Sequence, residues 1–144
     1  MLKTTARTVN FFKQLRVRVK RAKRDAIYSI CGLIRRDAIN RLRVRPGSSR
    51  PPAAPHAHTK GGLRVIDFHI SGNTGIIGPR KFPSSNTFNK PVPAIHEFGG
   101  QVFTIGRAFR TVVYPKRPYM SKTVEKLGPK LPRQYSVQMG RILG

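Results

Sequence analysis

The chain has 144 residues, 38% of them apolar, and a formal charge of +24 from 29 Lys and Arg against five Asp and Glu. That length suits one domain with a modest core. Cys31, the single cysteine, excludes an internal disulfide and a cysteine-based zinc site. So large a positive charge repels itself unless anions surround it, which points to nucleic acid, an acidic protein neighbour, or both as partners.

The charge is concentrated at the start. Residues 1–50 hold fifteen Lys and Arg against Asp25 and Asp37, a net +13. The acid-free opening, MLKTTARTVNFFKQLRVRVKRAKR, also has the composition of a mitochondrial presequence. Against that reading, the same basic pattern runs on into the main apolar stripe. No apolar run approaches the roughly 20 residues needed to span a bilayer, so no membrane role is expected. Ala26, Ile27, Ile30, Cys31, Ile34, Ala38 and Ile39, then Leu42, recur at helical steps, with Arg35, Arg36 and Arg41 off the stripe. This predicts a main helix over 20–43, with 1–19 as a basic N-terminal arm. Within that arm LRVRV alternates as an exposed strand or fraying helix would. Cys31 reads as a small core residue on this stripe.

Residues 44–62 form a Pro/Gly-rich loop with no large apolar residue in its PGSSRPPAAPHAHTKGG stretch, which predicts an arm reaching a neighbour or an excursion between helix and sheet. Residues 63–115 read as a sheet of about four strands: LRVIDFHI, a short strand around Ile76 and Ile77, and a hairpin built from QVFTI and AFRTVVY. In the first strand Arg64, Ile66, Phe68 and Ile70 share one side and Leu63, Val65, Asp67 and His69 the other. Residues 116–144 carry two short helical pieces, with Met120, Val124 and Leu127 on one and Tyr135, Met139 and Ile142 on the next. The expected fold class is α+β in a single domain, 1–144: a long amphipathic helix packed on a small antiparallel sheet, with a short C-terminal helix and extended arms.

Enzyme chemistry is poorly supplied. The five acids, at 25, 37, 67, 97 and 125, are scattered. No nucleophile-elbow, Walker or dinucleotide glycine pattern occurs. His56 and His58 have metal-compatible spacing but no cysteine or acid beside them, and His69 reads as a packing residue on a strand. The expectation is a non-enzyme with no cofactor and no metal. Arg16, Arg18, Lys20, Arg21, Lys23, Arg24, Arg35 and Arg36 are candidate contacts to phosphates or to a partner. No aromatic RNA-recognition signature accompanies them.

The most informative stretch is AIHEFGG at 94–100, followed by RPYM at 117–120. Pro93 suits the first turn of a short helix. Gly99 and Gly100 permit positive φ and a sharp exit into the next strand. Phe98 is expected to plug into the core. Glu97, a rare anion in a cationic field, is expected to pair with Arg117 through a bidentate fork. Pro118 then sets the chain direction while Tyr119 and Met120 pack inward. His96 and Glu97 thus read as a structural clasp, or else as a subunit contact.

Those two segments resemble the tail-completion, or virion-morphogenesis, family of tailed bacteriophages, which includes relatives of the lambda minor tail protein Z and Mu-type morphogenesis proteins. In that family a segment ending H/Y-E/Q-F-G precedes a β-hairpin, and R-P-F/Y-hydrophobic opens the last helix. Ala94, His96, Glu97, Phe98, Gly99 and Gly100, then Arg117, Pro118, Tyr119 and Met120, carry the match. The resemblance implies a virion neck protein, assembled in the host cytoplasm. It also implies a homo-oligomeric ring, commonly of about six copies, between the head connector or adaptor and the tail-tube or tail-terminator proteins, around the DNA channel. The chain departs from the family in its charge and its Pro-rich insertion. The alternative is a ribosomal or other basic nucleic-acid-scaffolding protein, which size, charge and Pro/Gly-rich arms also suit.

Overall fold

The structure, a computed structural model, describes residues 2–43, 50, 53–55, 57, 62–80, 92–104 and 110–143. Residues 2–41 contain no proline and one glycine, and they form a single helix, α1 (Leu2–Arg41). At 1.5 Å per residue it is about 60 Å long. The helix therefore starts well before Lys20, where the sequence placed its firm beginning. Residues 11–18 are exposed, so no neighbouring strand is at hand to pair with LRVRV. A helix satisfies its own backbone groups, whereas a lone strand leaves them unpaired.

β1 (Ile66–Ser71) and β2 (Thr74–Pro79) make an antiparallel hairpin around Gly72-Asn73, with Ile66 opposite Pro79 and Ser71 opposite Thr74. After a short helix, α2 (Val92–Phe98), come β3 (Gly100–Thr104) and β4 (Arg110–Tyr114), paired with Gly100 opposite Tyr114. The class is α+β. The single sheet of about four strands is corrected to two separate two-stranded sheets. β2 carries Gly75, Gly78 and Pro79, and residues with no side chain or no N–H make it a poor template for a third strand. The segment LRVIDFHI also divides: Gly62–Arg64 is one 3-10 turn, and the strand begins at Ile66.

α1 lies against β1, β2, the C-terminal helices α3 (Met120–Leu127) and α4 (Leu131–Leu143). A 3-10 turn, Gly128–Lys130, separates α3 from α4. On α4 the half-buried residues Leu131, Gln134, Tyr135, Gln138, Met139 and Ile142 recur at three- and four-residue steps, the pattern of a one-sided helix. On α3 the inward position is Thr123, while Val124 is exposed. Of the expected stripe, Met120 and Leu127 are half-buried and Val124 is turned out, because the hydrogen bonds of Thr123 set the helix's rotation. Ala38 of α1, Leu42 just past its end, Leu63, Ile66 and Tyr119 make the buried core. The Pro-rich loop contributes more than expected: Pro55 and Ala57 are buried, and the Ala57 N–H donates to the Arg43 carbonyl at 3.0 Å. Small side chains fill the narrow space left at the end of α1. His56, His58 and the link between QVFT and RTVVY lie outside the described residues.

Helix and hairpin meet most closely at Gly75, where an added Cβ would lie 2.5 Å from Cys31 Sγ and 3.0 Å from Ile27 Cγ2. Cys31 is buried, and that burial pushes its thiol pKa up. Arg35 Nε donates to the Ile66 carbonyl at 2.7 Å and ties the same two elements together. Gly75→Ala is expected to destabilise the fold by about 1–3 kcal/mol through overpacking. Part of that loss should return in a Gly75→Ala/Cys31→Ala double variant. Urea unfolding of the four proteins in the cycle checks both.

Candidate assembly site at the Glu97 clasp

α2 is seven residues long, opens with Pro93 in its first turn and ends at Phe98. Gly99 follows with φ 71° and donates its N–H to the Ile95 carbonyl at 2.8 Å. A Cβ there would sit 3.0 Å from Tyr114 O and Lys116 N, so the position combines left-handed backbone with close approach of β4 and its exit. Gly100 continues at φ 136° into β3. This bend swings the chain away while leaving Glu97 aimed back at the start of α3.

Glu97 is 8% exposed. Its Oε2 accepts from the backbone N–H of Tyr119 at 3.0 Å and of Met120 at 3.1 Å. Its Oε1 accepts from the Ser121 N–H at 2.8 Å and the Ser121 hydroxyl at 2.6 Å. The first N–H groups of a helix have no partner inside it, and α3 has no side-chain cap from its own N-cap residue, Tyr119. Glu97 supplies that cap from 22 residues upstream. The negative charge also lies at the positive end of the helix dipole. Burial alone would raise the Glu97 pKa, but the Ser121 hydroxyl and the amides of Tyr119, Ser121 and Met120 outweigh it and hold the carboxyl below its ordinary range.

The clasp expected at Glu97 takes in the amides and hydroxyl of the α3 turn. Amides at a helix start are fixed by the backbone, so they reach a carboxylate without ordering a long side chain. The Arg117 N–H donates to the His96 carbonyl at 2.8 Å. Burial, and then the charge of Arg117, lower the His96 pKa and favour the neutral imidazole. Pro118 is half-buried beside it. Tyr119 is fully buried, and its hydroxyl has no hydrogen-bond partner among the described residues. Burial pushes that phenol's pKa up, with Glu97 adding to the effect.

Phe98 is corrected outright. It is 74% exposed rather than in the core, because the last turn of α2 points it outward once Ile95 and Glu97 face in. It borders an apolar groove of about 300 Å³ with Ile77, Pro79, Pro93, Ala94, Tyr119 and Met120. Among the described residues its lining includes the Glu97 carboxylate but no Lys or Arg.

A second anchor escaped the sequence reading. Asp37, on α1, accepts from Arg41 Nε at 2.9 Å, from Thr123 Oγ1 at 3.1 Å and from the Lys126 ammonium. Burial raises the Asp37 pKa, but the bonds from Lys126, Arg41 and Thr123 leave it lowered on balance. Arg41 Nη2 also reaches the Lys122 carbonyl at 3.2 Å. The Asp37-Arg41 spacing of four was the available signal; Lys126 and Thr123 lie more than eighty residues away. The candidate cations do not form one cluster. Arg16, Arg18, Lys20, Arg21 and Arg24 are exposed on the N-terminal half of α1, and Lys23 is half-buried. Arg35 is spent on Ile66, and Arg36 lies beside it near the Tyr28-Phe68 edge-to-face pair. Among the described residues no group of three His, Cys, Asp or Glu could hold a metal ion, and no helix is long and apolar enough to cross a membrane. Comparison with protein-family models, curated proteins and solved structures returns no match.

Glu97→Gln keeps the shape but turns an amide NH2 toward backbone donors. It is expected to cost about 2–4 kcal/mol, and Ser121→Ala about 1–2 kcal/mol. Tyr119→Phe should leave stability unchanged or slightly raised, since only an unpaired hydroxyl is lost; denaturant titration separates the three. Acid should destabilise the fold in order. His96, depressed below 6.5, contributes a loss that begins as pH falls through that value. Glu97 and Asp37, depressed below 4.5 and 3.8, add theirs only below those values. Thermal melts from about pH 7 to pH 3 should show the later loss reduced in Glu97→Gln.

Proposed function

We propose that this chain is a structural subunit of a tailed-phage neck, forming a ring that joins head connector to tail around the DNA channel. The observation that carries the proposal is the pairing of Phe98 with its groove. The motif segment that resembles the phage family sets an exposed phenyl at the lip of an apolar groove whose described lining holds no Lys or Arg. An apolar recess with an exposed aromatic at its lip is where another protein can pack closely. A contact from such a patch to a different patch on the next copy is head-to-tail, and head-to-tail contacts close into rings when the rotation permits. Glu97 holds the groove in shape by fixing α2 to α3, so the motif serves folding and assembly together. The reading is non-enzymatic, with the connector and tail-side proteins as neighbours and with non-specific contact to packaged DNA open to the arm cations.

The rival reading, a ribosomal or other nucleic-acid-scaffolding protein, draws on the exposed Arg and Lys of α1. Size-exclusion chromatography with light scattering in about 1 M salt, after nuclease treatment, separates the two. The neck reading expects a discrete ring, alone or on addition of its connector. Phe98→Asp should abolish the ring while leaving the unfolding midpoint within about 0.5 kcal/mol of the parent, as for other exposed positions. A monomer that assembles with neither itself nor a connector, yet binds nucleic acid with a steep salt dependence, would favour the rival.

A further inference from the structure

The N-terminal half of α1 leaves the body of the protein with its apolar side uncovered. From Val9 onward the first buried position on α1 is Ala22. Before it, Val9, Phe11, Phe12, Leu15 and Val17 are all exposed. Phe12, Leu15 and Val19 step by three and four residues into the buried Ala22 and Ala26, so the exposed stripe continues the face that the fold itself buries. Residues 2–21 amount to about 30 Å of projecting helix. Phe11 and Phe12 pack edge to face on its surface, ring centres 5.8 Å apart.

Three observations identify what would cover this stripe. Where the arm joins the body, a hollow of about 450 Å³ lies between Leu15 and Val19 on one side and the β1–β2 turn at Asn73 on the other, bordered by Arg16, Lys20 and Lys23. Its floor is apolar and its rim cationic. Arg16, Lys20 and Arg24 also stand at successive four-residue steps, where like charges destabilise a helix. Between residues 1 and 24 there is no acid to offset them. A second copy of this chain would bring another +24 to the same place. Duplex DNA would answer the charge but has no use for exposed phenyl, leucine and valine side chains.

We propose that the arm and the hollow at its root form a docking surface for an acidic amphipathic helix of a different protein. The partner's large apolar side chains would enter between Leu15, Val19 and Asn73 and run along Phe12. Its carboxylates would meet Arg16, Lys20 and Lys23. Apolar packing then supplies affinity, and the charges supply encounter rate and register. This extends the neck reading by stating the chemistry of a neighbour, and it stands or falls separately from ring formation.

The test uses the full chain and a synthetic amphipathic helix of about 18 residues with leucine along one face and glutamate elsewhere. A shuffled peptide of the same composition, vesicles rich in phosphatidylserine, and duplex DNA serve as comparisons. The amphipathic peptide should bind about tenfold or more tightly than the shuffled one. Phe12→Ala/Leu15→Ala should weaken it about tenfold or more, while Arg16→Gln/Lys20→Gln/Lys23→Gln should flatten its salt dependence. All these positions lie on or beside the projecting helix, and an unchanged urea midpoint would confirm that the body stays folded. Equal binding of the two peptides would overturn the proposal, as would a double variant that loses vesicle or DNA binding but not peptide binding. Self-association through the arm, seen as dissociation of an oligomer by the double variant, would overturn it as well. A chain that never forms a ring yet docks the peptide through Phe12 and Leu15 would remove the neck reading alone; a ring former whose arm ignores the peptide would remove this one alone.

Discussion

A single carboxylate at the start of a helix organises the structure. Glu97 satisfies the amides of Tyr119, Met120 and Ser121 and takes the Ser121 hydroxyl as well. An anion buried in this way is expensive unless every lone pair is met. Here fixed backbone donors meet it, which is cheaper in side-chain entropy than an arginine fork. The consequence is positional. α2 and α3 cannot move relative to each other without exposing either the carboxylate or the amides, and the Phe98 groove lies between their residues and β2.

The same economy extends to Asp37. With five carboxylates among 144 residues, Glu97 and Asp37 both hold α3, one by its N-terminus and the other from α1 through Thr123 and Lys126. Asp67 meets Arg80 at 2.9 Å across the base of the first hairpin. Asp25 lies 3.8 Å from Arg21 in an exposed pair that adds little. Two of the five carboxylates, Glu97 and Asp37, are thus turned inward onto joints between elements, while Asp25, Asp67 and Glu125 are exposed. The surplus positive charge faces out and is densest on α1, where it repels itself most. A fold arranged this way is internally coherent but electrostatically incomplete until it meets anions.

Its apolar surface is incomplete in a corresponding sense. Phe98, Ile76, Val113 and the stripe on α1 are all exposed, and they occupy different parts of the molecule: one beside the groove, one on the first hairpin, one on the second, one on the projecting helix. Apolar side chains exposed singly are ordinary; the two places where they gather at a recess are the Phe98 groove and the hollow at the root of α1. Under the two proposals above, the groove would take another copy of the chain and the cation-rimmed hollow an acidic partner, so charge would sort two surfaces that hydrophobicity alone would confuse.

Local pattern was enough to read the main helix over 20–43, the positions of the strands, the QVFTI/AFRTVVY hairpin, the helical C-terminus and the prominence of residues 94–100 and 117–120, since period, turn residues and the isolation of Glu97 are all visible along the chain. Cys31 was legible as a core residue for the same reason. What the tertiary structure decided were the choices between partners of equal local merit. Glu97 was visible as an anion in need of donors, and only the approach of α3 supplies three amides and a hydroxyl. Phe98 could have faced in, and only the demand that Glu97 and Ile95 face the body turns it out. Four strands could have formed one sheet, and only the weak edge of β2 and the intervening α2 keep them apart. Sequence periodicity specifies which faces are apolar; which face finds a cover depends on contacts between residues far apart in the chain, and no one-dimensional pattern encodes those distances.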